Sequence, residues 1–131
     1  MSSYRLQIVT PDGCEFDGQA EALLLRTTEG YVSIRAHHAD YIAVLDIGIV
    51  TLTVDGKSRT AACGGGFLTV EKGEVRLVAT TFEYSDEIDV ARAERAKERA
   101  EQILSNSKDD KDINLARVRL ARALNRLKIA Q

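Results

Sequence analysis

GEVRLVATTFEYSDEIDVARA, residues 73–93, is where the chain changes its grammar. Gly73 is the last of nine glycines, and the only proline, Pro11, lies far upstream. From about Asp86 onward Ala, Arg, Glu and Leu dominate, and nothing there breaks a helix. Charge shifts at the same place. Residues 1–85 carry 7 basic and 11 acidic groups, net -4, whereas residues 86–131 carry 11 basic and 9 acidic, net +2. Two structural units are therefore expected, 1–85 and 86–131, in an α+β order along the chain.

Upstream of the switch the signals are those of strands. Tyr4 to Val9 alternates apolar and polar residues, and Thr10-Pro11-Asp12-Gly13 supplies a turn with proline at its second position. Ala20–Thr27, Tyr31–Ile34 and Ile47–Val54 are further short runs. Val54-Asp55-Gly56-Lys57 is the sharpest hairpin signal, because Asp-Gly accepts the positive φ angles of a tight type I′ turn. Phe67–Val70 and Val75–Val78, joined through Lys72-Gly73, read as strand, turn, strand. Short strands at this spacing predict a sandwich or a barrel.

Downstream, the pattern predicts an antiparallel helical hairpin, with helices over about 87–104 and 112–129. Asp86 is the expected cap of the first helix, with Asp86, Glu87 and Asp89 favoured by its dipole. Ala93, Ala96, Ala100 and Ile103 form a narrow stripe of mostly small side chains. Ile113, Ala116, Leu120, Ala123, Leu124 and Leu127 form a second stripe, and the polar run from Ser105 to Lys111 fits the link between them. Such a pair alone buries little surface and is marginally stable, hence a candidate for movement.

The whole chain has 131 residues, 44% apolar and 29% charged, which suits one domain or a small domain with an appendage. A formal net charge of -2 argues against a dedicated nucleic-acid binder. No apolar run has the length of a membrane span, and residues 1–8 have neither signal nor transit character, so the chain is expected to stay where it is made. Cys14 and Cys63 have no ligand spacing; the sequence leaves a disulfide open, with two buried or half-buried thiols in a reducing cytosol as the expected state.

Few motifs carry chemistry. Gly64-Gly65-Gly66 lacks the Lys-Ser/Thr and the following helix of a phosphate loop, and a tight bend or bulge is expected there. His37-His38, near Asp40 and Asp46, reads as loop or interface rather than as a metal or acid–base site. Residues 113–131 hold Arg117, Arg119, Arg122, Arg126 and Lys128 with no acid among them. Arg119, Arg122 and Arg126, spaced by 3 and 4, share a helix face that is either solvated or built for an anion, whether a phosphate or an acidic partner. Arg92 and Arg99 can join the cluster across the hairpin, with Asp89 among them.

Taken in order, these pieces resemble the epsilon subunit of F-type ATP synthases along essentially the whole chain. Thr10–Gly13 looks like that family's first turn, and Gly18-Gln19-Ala20-Glu21 and Glu29-Gly30 fall where its early strands and loop belong. His38-Ala39 matches its loop pair, and Gly65-Gly66-Phe67-Leu68 its glycine-pair strand entry. Ile88–Ala93, followed by Ala96-Lys97-Glu98-Arg99-Ala100-Glu101, closely resembles the start of its hairpin. The loop at 32–40 departs from the family pattern, having lost both prolines and both glycines.

The resemblance implies a flattened N-terminal β-sandwich of about ten strands followed by a mobile two-helix domain. It implies a non-catalytic rotor subunit that docks on gamma and on the ring of c subunits, with Tyr31 and His38 at the rotor or gamma contact. It further implies a peripheral place on the cytoplasmic face of the bacterial plasma membrane. Some members bind ATP, as a regulatory ligand and not a catalytic cofactor, through I/L-D-x-x-R-A. That motif is present here as Ile88, Asp89, Arg92 and Ala93. Glu83, Arg99, Arg122 and Arg126 also match those members, the arginines for phosphate, Glu83 and Asp89 for polar contacts, and Ile88 and Ala93 as the apolar floor. In the extended state Arg117, Arg119, Arg122 and Arg126 would face an acidic beta-subunit segment of the alpha/beta catalytic head. The alternatives are a stand-alone β-sandwich adaptor whose basic hairpin binds an acidic protein, and a small nucleotide-processing enzyme.

Overall fold

The computed structural model describes residues 2–130. Eight strands come first: β1 (Tyr4–Thr10), β2 (Gly13–Ala20), β3 (Ala22–Thr27), β4 (Gly30–Arg35), β5 (Tyr41–Val54), β6 (Lys57–Glu71), β7 (Glu74–Ala79) and β8 (Phe82–Tyr84). A short 3₁₀ turn, Ser85–Glu87, leads to helices α1 (Val90–Asn106) and α2 (Asp110–Ile129).

Alternation along the strands decides which side faces in. Tyr4, Leu6 and Ile8 of β1, Leu23 and Leu25 of β3, Leu68 and Val70 of β6, and Val75 and Leu77 of β7 all enter one buried cluster. The strands follow the order β2-β1-β7-β6-β5-β3-β4, with β8 on β6, and β1 runs parallel to β7. The two long strands belong to both layers of the sandwich. The last part of β6 and the first part of β5 sit beside β7, β1 and β2, while their other halves sit beside β8, β3 and β4. With β5 and β6 each counted once per layer, eight strands supply the ten expected segments.

The crossing point lies at the glycine run. The β5–β6 ladder pairs Leu45 with Gly66 and Ile47 with Gly64, while Gly65 (φ 96°) and Gly66 (φ 141°) adopt left-handed backbone. The run lies inside a strand, so the expected bend is made without ending the pairing. Asp55 (φ 52°) and Gly56 (φ 75°) form the expected hairpin turn, and Lys72 (φ 50°) and Gly73 (φ 80°) repeat its geometry. The expected run Ala20–Thr27 is divided at Glu21. Its N–H donates to the Thr53 carbonyl, and its carboxylate accepts from Gly56 N–H at 2.6 Å.

Helix α1 begins and ends later than the expected 87–104, and α2 begins before the expected 112 and ends where expected. Asp89, not Asp86, caps α1, accepting from Arg92 N–H at 3.0 Å. Asp86 and Glu87 are drawn instead to Arg59 on β6, at 3.3 and 3.5 Å. Asp109 caps α2 and shortens the link to residues 107–109. Ala93, Ala100, Ala116 and Ala123 are buried as the stripes predict, but Leu124 is 46% exposed.

Both cysteines are free, and Cys14 departs from the expected burial because it lies exposed at the start of β2. Cys63 is buried in the core, and burial pushes its thiol above the usual range, against a weaker opposing contact with the Gly65 carbonyl. Titration of the folded chain with a chromogenic disulfide at pH 8 should therefore modify Cys14 alone, and Cys63 only after denaturation. Rapid modification of both thiols in the native protein would contradict this packing.

Candidate functional site

The hairpin is folded down, with α2 against the central strands β5 and β6 and α1 lying alongside α2. The α2 contact is made largely from small and polar groups. Asn125 Nδ2 donates to the Gly48 carbonyl at 2.8 Å, and Arg122 Nε donates to the Gly64 carbonyl at 3.3 Å. Both glycines are buried positions where a side chain would intrude. A Cβ on Gly64 would overlap the Thr81 hydroxyl and lie 3.2 Å from Arg122 Nε. Beside them, Arg126 Nε meets Glu83 Oε1 at 2.6 Å, with side chains 23% and 37% exposed. A charged pair this short and partly shielded contributes more than a surface pair.

The connection to α1 is anchored separately. Arg59 lies 3.6 Å from the centre of the Tyr84 ring while reaching Asp86 and Glu87. Burial pushes the Tyr84 phenol above its ordinary range; Arg59 opposes this, and Glu15, Glu87 and Asp86 push it further up. The 3₁₀ turn thus meets the sandwich through its charges just before α1 begins.

Between α1, the end of α2 and the sandwich lies a cleft of about 550 Å³, within the size range of small-molecule sites. Glu83 of β8, Asp89 at the α1 cap, Arg92, Ala93 and Arg99 of α1, and Arg126 of α2 all line it. Strand β8, α1 and the end of α2 thereby bring six of the eight expected nucleotide residues together. The other two stand outside its lining. Ile88 is half-buried at the end of the 3₁₀ turn, and Arg122 is turned to the Gly64 carbonyl. Asp89 has a definite local task as a cap, which leaves its second carboxylate oxygen for other partners.

The cleft also has a wall that sequence reasoning missed. Thr10, Asp12 and Glu15 come from the β1–β2 hairpin, Thr81 and Phe82 from the entry to β8, and Glu87 and Ala96 complete it. The Thr-Pro-Asp-Gly motif foretells the turn, but nothing local in it foretells that it lies under α1. Arg92 and Arg99 form no ion pair among the described residues, so two guanidinium groups are available to an anion, with Arg126 shared with Glu83.

The remaining expected residues lie elsewhere. Arg117 and Arg119 are exposed on α2, and Arg119 lines a shallow groove with Arg99, Ile103 and Leu115 toward the link end of the hairpin. Tyr31 is exposed on β4. His38 is half-buried, its Nδ1 2.7 Å from the Ala39 carbonyl and its ring against Tyr41. Among the described residues no three His, Cys, Asp or Glu side chains could hold a metal ion, and no helix is long and apolar enough to cross a membrane. The outer face of the β2-β1-β7-β6-β5 layer carries a row of paired side chains, Cys14, Val9, Val78, Phe67 and Val44, whose last two are 45% and 62% exposed.

Residues 3–85 match the family described as ATP synthase, Delta/Epsilon chain, beta-sandwich domain. Residues 86–131 match ATP synthase, Delta/Epsilon chain, long alpha-helix domain. The chain is 40% identical over 131 residues to an ATP synthase epsilon chain of Ruminococcus albus, covering 99% of this chain and 98% of that one. An ATP synthase epsilon chain of Bacillus velezensis is 41% identical over 130 residues, with 99% and 98% covered. Among solved structures, a chain of the Euglena gracilis mitochondrial ATP synthase, OSCP/F1/c-ring, superposes with a TM-score of 0.80 at 23% identity, covering 95% of this chain and 79% of that one. This last likeness is one of fold.

Proposed function

The chain belongs to the ATP synthase delta/epsilon family, and on that footing we propose that it is a non-catalytic central-stalk subunit whose folded hairpin binds ATP. The observation that carries the ATP reading is the shared cleft: arginines of α1 and α2, Arg92, Arg99 and Arg126, open on the same space as Glu83 and Asp89. Guanidinium groups from two helices can grip one polyphosphate, and the carboxylates suit the donor groups of a base or ribose. Ala93 supplies an apolar floor.

A ligand that touches α1, α2 and the sandwich together stabilises only the arrangement in which they meet. At ATP 100-fold above its dissociation constant, the folded state would gain about 2.7 kcal/mol. When ATP falls, the hairpin opens, and Arg122 and Arg126 leave the Gly64 carbonyl and Glu83. They then join Arg117 and Arg119 in facing an acidic segment of the beta subunit in the alpha/beta head. The same two side chains cannot serve both surfaces, so the two states exclude each other, and the extended one opposes hydrolysis.

In this reading the sandwich is the fixed part of the rotor. The apolar row from Cys14 to Val44 is the kind of face that a partner covers, and gamma is the partner proposed for it. Tyr31 and His38 belong to the contact with gamma and the ring of c subunits. The assembly places the subunit peripherally, on the cytoplasmic face of a bacterial plasma membrane, where ion-driven rotation is coupled to ATP synthesis.

Calorimetric titration of ATP into the isolated chain tests the sensor. Saturable binding is expected, weakened at least tenfold by Arg92→Ala and by Arg126→Ala, with phosphate release at background. No detectable heat at millimolar ATP would reject the nucleotide reading and leave a stalk subunit that answers to its partners alone.

A further inference from the structure

The cleft is cationic on one side only. Arg92 and Arg99 project from α1, whereas the sandwich and the connecting turn contribute Asp12, Glu15, Glu83 and Glu87, with Asp89 at the helix start. The lining thus holds five carboxylates and three guanidinium groups. Their partners differ. Glu83 is matched by Arg126, Glu87 by Arg59, and Asp89 by the Arg92 N–H. Among the described residues the carboxylates of Asp12 and Glu15 form no ion pair and accept no hydrogen bond. Asp12 lies in the β1–β2 turn and Glu15 at the start of β2, both outside the helical hairpin that carries the I-D-x-x-R-A pattern.

We propose that Asp12 and Glu15 are specificity-determining residues of the cleft, an acidic wall that lowers its affinity for a nucleoside triphosphate. This rests on the nucleotide reading of the same site. A polyphosphate entering between α1 and the turn gains the arginines but meets two unneutralised like charges, whose repulsion is felt over the Debye length of about 10 Å at 0.1 M salt. The uncharged part of a nucleotide meets no such penalty. The wall therefore sets how much ATP is needed to hold the hairpin down, and it does so from the domain that does not move.

Asp12→Asn with Glu15→Gln removes both charges and keeps both shapes, at exposed positions whose backbone contacts are retained. ATP and adenosine are titrated into the wild-type chain, into this variant, and into Glu71→Gln with Glu74→Gln, which makes the same charge change at the β6–β7 turn. The expected result is ATP binding about tenfold tighter in the cleft variant at 50 mM salt, shrinking at 0.5 M as screening tightens. Adenosine affinity stays as in the wild type, and the β6–β7 control leaves ATP affinity near its starting value.

Unchanged ATP affinity in the cleft variant, with the wild type binding normally, overturns the acidic wall and leaves the nucleotide site standing. An equal gain for adenosine, or in the control, overturns it as well, since the effect would then come from packing or net charge. Absence of ATP binding in all three proteins overturns the site itself.

Discussion

Gly66→Ala should cost the sandwich about 3–5 kcal/mol, more than most single substitutions do. At φ 141° the backbone of Gly66 is left-handed, and a Cβ there would overlap the Val78 carbonyl and approach Ala79 Cα to 2.9 Å. Both obstacles are main chain, so no side chain can swing aside; β7 itself must shift away from β6. The damage falls where β6 passes between layers, so both sheets are affected. Urea unfolding followed by far-UV circular dichroism measures it, with Gly56→Ala as the comparison. Gly56 has φ 75° and open space around its Cβ position, so it should lose only the left-handed penalty of about 1–2 kcal/mol. Equal losses at the two glycines would refute the steric account.

Asn125→Ala with Arg126→Ala should free the hairpin while leaving the sandwich folded. Together they remove the bond to the Gly48 carbonyl and the ion pair with Glu83. One neutral and one charged hydrogen bond, discounted for partial exposure, amount to about 2 kcal/mol. That corresponds to roughly a 30-fold shift toward the open hairpin. Hydrogen exchange without nucleotide reads the change directly, as faster exchange along α1 and α2 with β1, β6 and β7 unaffected. Uniform acceleration over the whole chain would mean that the contact stabilises the fold, and no acceleration would mean that Ala116 and Ala123 hold the helices without it.

Much of this architecture is legible in the sequence because its signals are local. The last glycine marks the end of the strands, Asp55-Gly56 makes its turn, and alternation along β1 and β7 picks the buried side chains. The failures share one cause, which is competition from distant residues. Asp86 is an adequate helix cap on its own, yet Arg59, from a strand far upstream, pulls it into a 3₁₀ turn and leaves the cap to Asp89. Leu124 fits an apolar stripe by spacing, but the face of α2 that meets the sandwich is defined by Asn125 and Arg126. Arg122 and Arg126 look alike as members of one basic face, and the structure separates them, one to a carbonyl and the other to the cleft. Asp12 and Glu15 carry no hint of the site, because only the folding of the hairpin over the first turn brings them to it.

The grip of α2 on the Gly48 and Gly64 carbonyls has a bearing on how the folded hairpin persists through descent. A catch made on main-chain oxygen survives almost any change in the neighbouring side chains, provided the two glycines remain. Mutation can therefore redraw the outer surface of the sandwich to follow a changing partner without altering the seat of the hairpin. Lineages can diverge in what the sandwich touches and still inherit the same seating of the two helices.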